Sequence, residues 1–333
     1  MYTHPVEDPV YTVTYNGTAI GEDISTLITE LVYTDVEHGE SDTVELTCQD
    51  LDDRWKKEWL PDLAAKLHVT IGYRDGRRLD CGDFELDEVE FAGGGGAGDT
   101  VRIKALATVI SPALRTKQSV GYDQTSLAAV VAKVAARNGL TARHDIEGSI
   151  KIDRLTQNHE TDLAFLHRLA EDYGYAMAVR GGFLDFWSIA KLEARPAVLT
   201  VARTQLKAFC LKQQSKEAAK KGEVSYQCPE TKKKVLGSCT EQASTGDTQR
   251  HLQRVPSEGA ARAQAKAKLH GKNKHQADGT LGMVGEVRLV AGINLALTGL
   301  YGLDGTWHVE RSTHRLTRAG GYESEATIYR VRA

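Results

Sequence analysis

His308, Glu310 and His314 stand at even spacing near the C-terminus. On a β-strand that spacing puts their side chains on one face, the arrangement in which imidazole and carboxylate ligands gather around a divalent metal. A solvated or interface face is the preferred reading of that spacing, so no metal is assigned. Cys228 and Cys239 flank a lysine-rich turn, at a spacing no common zinc motif uses and with no second pair nearby. Glu160, Asp162, Glu171 and Asp172 offer the carboxylates that glycoside hydrolysis needs, but they fall on one amphipathic segment where capping and solubility account for them. Gly93 to Gly98 has the glycine content of a phosphate loop. It lies between two alternating segments, however, with no helix N-terminus to receive an anion, and reads as a hairpin loop. A Gly-x-Ser-x-Gly elbow, a P-loop, a Gly-x-Gly-x-x-Gly after a strand and His-Glu-x-x-His are absent from the sequence. The expectation is a non-enzymatic protein with no catalytic, cofactor-binding or metal residue and no cofactor.

The elements that must position any site are clearest between Gln157 and Trp187. Leu163, Leu166, Leu169, Ala170 and Tyr173 recur at three- and four-residue steps, which predicts an amphipathic helix. Asn158 is the expected N-cap and Gly174 the C-terminal stop. Leu163, Leu166, Leu169 and Tyr173 are expected in its core. Tyr175 to Arg180 and Phe183 to Trp187 then read as strands joined by the tight turn Gly181-Gly182. A second helix is expected over Thr125 to Asn138, from Leu127, Val130, Val131 and Val134. A third begins at Pro256-Ser257-Glu258 and runs to Gly271.

Before Pro112 the text is all β. Val10 to Tyr15, the Asn16-Gly17 turn, Leu27 to Thr34, Thr43 to Cys48, Leu67 to Tyr73, Phe84 to Phe91 and Thr100 to Leu106 alternate or carry turn signals. Strand text returns at Val198 to Val201, Leu206 to Leu211, Val224 to Gln227, Gly292 to Thr298, Trp307 to His314 and Tyr322 to Arg332. The runs from Leu67, Phe84 and Thr100 correspond in order and type to those from Ile293, Trp307 and Ala326, so the chain holds two versions of one β unit. The expected fold class is β-rich α+β: two similar small β-barrels flanking a central helix-plus-hairpin domain. The boundaries expected are 1–111 for the first barrel, 112–192 for the middle domain, and 193–333 for the second barrel with an inserted helix.

At 333 residues, 41% hydrophobic and 26% charged with 31 glycines, the chain is long enough for two or three packed domains. No apolar run approaches the roughly 18 to 20 residues a membrane span needs, so no membrane insertion is expected, and the first residues lack an export signal. Five scattered cysteines fit reduced thiols. The net charge of −3 conceals a division. Residues 1–110 hold 9 Lys/Arg against 23 Asp/Glu, a balance of −14; residues 111–190 are neutral; residues 191–333 hold 24 against 13, a balance of +11. Such a split points to two partners or to complementary pairing of like chains. Lys216, Lys220, Lys221 and Lys232 to Lys234 read as an exposed hairpin, or as a contact with an acidic neighbour.

The pattern Gln157-x-x-Glu160-x-Asp162-x-x-Phe165-Leu166-x-Arg168-Leu169-Ala170, then Gly174 and Gly182-Phe183-Leu184-x-Phe186, resembles the phage late control protein D family. These are baseplate hub proteins of contractile tails, related to the front part of VgrG spike proteins. Tyr33-Thr34-Asp35, Ser41-Asp42-x-Val44-Glu45-Leu46 and the His314-x(5)-Gly-Gly-Tyr322 segment extend the likeness over nearly the whole chain. The resemblance implies a homotrimeric structural hub that adapts a six-fold tail tube to a three-fold spike. Its partners would be the tail tube protein, a separate central spike protein and other baseplate components, with DNA only passing through the channel. Its place would be the virion tail baseplate, assembled in the bacterial host cytoplasm. A tail-associated cell-wall hydrolase, or the hub of a type VI or extracellular injection machine, are the alternatives.

Overall fold

A computed structural model describes residues 8–94, 98–107, 114, 116–148, 150–214, 219–227, 234–241, 247–252, 255 and 257–332. Gly95, Gly96, Pro112, Lys216, Cys228, Lys232, Lys233 and Pro256, singled out in the sequence, lie outside those residues. The fold is β-rich α+β.

The first β unit contains β1 (Pro9–Tyr15), the two-residue β2 (Thr18–Ala19), the short helix α1 (Glu22–Ser25), β3 (Ile28–Val36), β4 (Thr43–Asp50), β5 (Lys66–Tyr73), β6 (Arg78–Ala92) and β7 (Asp99–Ala107). Asn16 and Gly17 both take positive φ, 48° and 80°, as the tight turn after β1 demands. Alternation buries Leu31, Tyr33, Val44, Leu46, Val69, Ile71, Phe84, Leu86, Val101 and Ile103 in one core.

The middle layer contains β8 (Lys117–Ser126), α2 (Leu127–Arg137), β9 (Thr141–His144), β10 (Lys151–Thr161), α3 (Asp162–Tyr173), β11 (Tyr175–Arg180), β12 (Phe183–Ser188) and the short helix α4 (Ile189–Glu193). The hairpin β11–β12 turns at Gly181 and Gly182, both at positive φ, and β9 adds parallel to β12. Helix α3 is capped by Thr161, whose Oγ1 accepts from the Ala164 amide at 3.1 Å, and not by Asn158, which lies in β10. A bulge between Asn158 and Glu160 carries the strand three residues further than the sequence pattern implied. Leu166, Leu169 and Tyr173 are buried; Leu163 is only partly so, and Phe165 takes the deep position instead. Gly174 ends the helix in the left-handed region at φ 75°.

The second β unit contains β13 (Leu199–Ala202), β14 (Leu206–Gln213), β18 (Ala277–Val284), β19 (Asn294–Thr298), β20 (Gly305–Thr317) and β21 (Gly321–Arg330). Between β14 and β18 the chain inserts β15 (Ala219–Gln227), β16 (Lys234–Thr240), β17 (Asp247–Leu252) and helix α5 (Glu258–Asn273), capped by Ser257. One side of α5 puts Ala260 into the middle core, and the other packs Ala261 and Ala265 on Val224 and Val255. The contact is close: a Cβ at Gly237 would lie 2.1 Å from the Ala261 backbone, which only glycine permits.

Both units have the same strand order. The first runs β3-β4-β7-β6-β5-β1 and the second β14-β18-β21-β20-β19-β13, each strand taking the place of its counterpart in chain order. The registers agree in detail. In β6 one residue, Asp87, is bulged out after Leu86 pairs with Ala105; in β20 Glu310 is bulged out after Val309 pairs with Ile328. The repeat is therefore structural as well as textual. It has one exception: β1 runs antiparallel to β5, whereas β13 runs parallel to β19. The two units join where the far half of β20 pairs antiparallel with β3, from Arg311 opposite Val36 to Thr317 opposite Glu30, so one sheet continues through both.

Leu166 is fully buried between the helices and the hairpin. Leu166→Ala should lower stability by about 2–5 kcal/mol, through lost transfer energy and the residual cavity, as read from denaturant unfolding.

Candidate functional site

Several buried polar residues, Asp35, Asp42, Asn294 and His308 among them, lie where the two β units and the middle layer meet. Asp35 and Asp42, at the end of β3 and just before β4, are both buried. Arg180, the last residue of β11, reaches between them: Nη2 donates to Asp35 Oδ1 at 2.7 Å and to Val36 O at 3.0 Å, and Nε lies 2.8 Å from Asp42 Oδ2. The second unit contributes the Ala291 amide, which donates to Asp35 Oδ2 at 2.8 Å. One guanidinium thus holds two carboxylates, and three parts of the chain are tied at one point. Burial pushes the Asp35 carboxyl up to about 6 against the pull of Arg180, with Asp42 adding to the rise.

A second node lies beside it. Asn294 Nδ2 donates to the carbonyls of Leu192, Glu193 and Arg195 at 3.0, 2.9 and 2.7 Å, which turns its Oδ1 towards His308 Nδ1 at 2.7 Å. His308 Nε2 is 2.8 Å from Glu37 Oε1. Tyr329 donates its hydroxyl proton to Glu193 at 2.5 Å, and the same carboxylate lies 2.9 Å from His270 of α5. Burial raises the Tyr329 hydroxyl pKa strongly, so it stays a donor.

His308, Glu310 and His314 are not brought together. The bulge breaks the period-two pattern at Glu310, which ion-pairs with Lys274 at 2.5 Å. His314 is buried, its Nε2 2.8 Å from Leu289 O and its Nδ1 2.7 Å from the Tyr322 hydroxyl; burial lowers its pKa to about 4. With a carbonyl as partner Nε2 must donate and Nδ1 must accept, so neither nitrogen of His314 is open to a metal.

Two groupings that sequence reasoning missed bring metal-type ligands together. His38 and His167 stack with ring centroids 4.7 Å apart, near Glu171. The Met177 amide donates to His38 Nδ1 at 3.0 Å, which leaves the ring proton on the buried Nε2 where a metal would need a lone pair. Burial, with His167 adding to it, lowers the His38 pKa to about 4. The pair fits a packing contact between the β3–β4 turn and α3. Asp50, Asp53 and Asp99 also converge, but Lys56 Nζ sits among them at 3.3, 2.8 and 2.8 Å and serves as their cation.

The four carboxylates expected on one helix are divided between β10, which holds Glu160, and α3, which holds Asp162, Glu171 and Asp172. Asp162 is buried and accepts from Arg137 Nε at 3.0 Å, Gln157 Nε2 at 2.7 Å and Asn138 Nδ2 at 2.7 Å. Glu160 pairs with Arg168 at 2.6 Å and Asp172 with Lys268 at 3.7 Å. Cys239 lies in β16, and Gly93 and Gly94 follow β6 directly. Lys220, Lys221 and Lys234 stand on the inserted strands β15 and β16, where Lys221 pairs with Glu223 at 2.7 Å. An apolar recess of about 400 Å³ opens in the first unit, lined by Val13, Tyr15, Ile24, Trp55, Trp59 and Leu86 among others. Among the described residues no helix is long and apolar enough to cross a membrane.

A carboxyl whose folded pKa lies above its unfolded value stabilises fully below the unfolded value, near 4, and loses that contribution as pH rises through the folded one. The melting temperature of the wild type should therefore fall relative to Asp35→Asn as pH rises from about 4 through about 6. A difference between the two proteins that stays constant over that window would contradict the assignment.

No family model matches the chain. A probable baseplate hub protein of Escherichia phage 186 is 31% identical over 179 residues, 54% of this chain and 44% of that protein. Its namesake in Escherichia phage P2 is 34% identical over 181 residues, 54% and 45%. The chain spans about half the length of the curated relatives it matches. Among solved structures, the 43 kDa tail protein of prophage MuSo2 from Shewanella oneidensis has a TM-score of 0.72 at 13% identity, over 97% of this chain and 98% of that one. A tail protein from Neisseria meningitidis MC58 has 0.69 at 13% identity, over 97% and 96%. An E. coli type VI secretion component, described as structurally similar to the T4 tail proteins gp27 and gp5, has 0.56 at 13% identity, over 95% and 76%. Over about half its length the chain is thus similar in sequence to the probable baseplate hub proteins of phages 186 and P2, and over nearly its whole length it has the fold of these phage tail proteins and of the type VI secretion component.

Proposed function

We propose that this chain is the structural hub of a contractile-tail baseplate, in which three copies form a ring that adapts a six-fold tail tube to a three-fold spike. The observation that carries the reading is the repeat: two β units of one strand order, joined edge to strand within one chain. Three chains then present six quasi-equivalent units, which is how a trimer matches a hexamer. The names of the phage 186 and P2 relatives support the role, and a non-enzymatic one. On this reading the tail tube protein, the central spike protein and other baseplate components are the partners, and DNA only traverses the channel. The protein belongs in the virion tail baseplate and is assembled in the host cytoplasm. The boundaries 1–111, 112–192 and 193–333 describe its two ring units and the layer between them. The likeness to a type VI secretion component keeps the hub of a related injection machine as a second reading.

Mass photometry should find particles of three times 36.4 kDa, alone or with tube and spike proteins present. The association should weaken with salt, since contact between an acidic front and a basic back is screened over about 8 Å at 0.15 M. Persistent monomers or dimers with those proteins present, or turnover of peptidoglycan by the purified chain, would overturn the proposal.

A further inference from the structure

Within the chain, the junction between units has a simple form. The central strand of the second unit, β20, runs on past its bulge, and that extension pairs with β3, the edge strand of the first. Among the described residues, the same two parts exist a second time without this pairing. In the first unit β6 runs on past its own bulge at Asp87: β7 pairs with it on one side, while β5 pairs with it only as far as Glu85. The counterpart of β3 in the second unit is β14, which among the described residues ends the sheet and pairs only with β18. Among the described residues, one chain therefore has a strand extension paired on one side only at one end and a sheet edge at the other.

We propose that the extension of β6, Asp87 to Ala92, pairs antiparallel with β14 of a second copy of this chain, repeating between chains the junction that β20 and β3 make within one. This rests on the hub reading and names the surface that closes its ring. The register follows from the repeat. In the first unit Leu86 faces Ala105, Ala105 faces Val44 and Val44 faces Tyr33. In the second unit Val309 faces Ile328, Ile328 faces Gly279 and Gly279 faces Leu211. Leu86 thus corresponds to Val309, and Tyr33 to Leu211. Within the chain His314, five residues after Val309, faces Tyr33. Between chains Phe91, five residues after Leu86, then faces Leu211, with Glu90 opposite Lys212 and Ala92 opposite Cys210.

Side-chain chemistry agrees with that register. Tyr33 and His314 stack in the interior with centroids 5.9 Å apart, whereas Phe91 is 40% exposed and Leu211 only partly buried. An apolar pair covered at the internal junction is left open at the external one. The charges are complementary with signs exchanged. Inside the chain the extension is basic and the edge acidic, with Arg315 on Glu30 at 2.7 Å and Arg311 on Glu40 at 2.6 Å. Outside, the extension carries Asp87, Glu88 and Glu90, and the edge carries Lys207 and Lys212. An unpaired extension and an unpaired edge are also what a β protein must cover, and a second copy covers both at once.

The test uses the cysteine already present. Facing residues of an antiparallel pair have Cα atoms about 4.5–5.5 Å apart, within disulfide reach. Ala92→Cys should give covalent dimers and trimers under mild oxidation at concentrations where the trimer forms, and Ala92→Cys with Cys210→Ser should give none. Glu90→Lys should weaken association about three- to tenfold, and adding Lys212→Glu should restore it. A trimer that neither cross-links through Cys210 nor responds to Glu90→Lys would overturn this pairing and leave the hub reading standing. A chain that stays monomeric with tube and spike proteins present would overturn both.

Discussion

The ladder between β3 and β20 is the constraint on which the rest of the arrangement depends. It makes one sheet out of two units that each have their own core, and so fixes their separation and angle with main-chain hydrogen bonds. The bulge at Glu310 makes it possible. Up to Val309 the strand belongs to the second core, pairing with β19 and β21; beyond the bulge it leaves β19 and takes β3 in its place. A bulge bends a strand and increases its twist, which is what a strand shared by two curled units requires. The polar nodes lie at the same end of the ladder. Arg180 reaches Asp35 and Asp42 there, and Glu37 reaches His308. The buried carboxylates of Asp35 and Asp42 have their charged partner, Arg180, on a different part of the chain, so the cost of burying them is offset only when those parts are docked.

The middle layer is held by a different kind of contact. Its helices and hairpin close an apolar core, and the buried Asp162 at the start of α3 gathers Arg137, Asn138 and Gln157 from α2, its C-terminus and β10. This is the segment in which the resemblance to hub proteins was most explicit, and its polar members turn out to be structural. The 63 residues inserted between β14 and β18 follow the same logic on a smaller scale: α5 has apolar residues on two sides, and lies between the middle core and a sheet of three strands.

Much of this was legible in the sequence because it is local. Asn16-Gly17 and Gly181-Gly182 require positive φ and take it. Two long helices lie where three- and four-residue spacing put them, and the third begins where its Ser257-Glu258 start put it but runs past the expected stop at Gly271 to Asn273. The repeat was visible as matching alternation and is visible again as matching register. What was not legible depends on residues far apart in the chain. Even spacing placed His308, Glu310 and His314 on one face, and one bulged residue was enough to undo that. Nothing in the text around His38 points to His167, because their contact exists only once the β3–β4 turn lies against α3. Asn158 has the chemistry of an N-cap, but β10 pairs with β8 through Thr161 opposite Lys117, so Thr161 becomes the cap. Leu163 has the right spacing for the core and sits at the layer's margin.

The charge division gains a physical meaning from the edges rather than from the totals. Surface ion pairs contribute about 0 to 1 kcal/mol each, so they are poor at holding units together and good at deciding which edge meets which extension. If the acidic extension of β6 met the acidic edge β3, Glu88 would take the place of Arg311, opposite Val36 and beside Glu40, and the ladder that β20 already occupies would have to open. If the basic extension of β20 met the basic edge β14, Arg315 and Arg311 would lie near Lys212. Both like pairings bring equal charges together, and both unlike pairings bring opposite ones. The inverted first strand adds a second asymmetry, since β1 and β13 give the two units different flanks. Two units nearly alike in topology, opposite in edge charge and unlike at one flank are able to alternate around a ring. Two units identical in all three respects would have no means of telling neighbour from self.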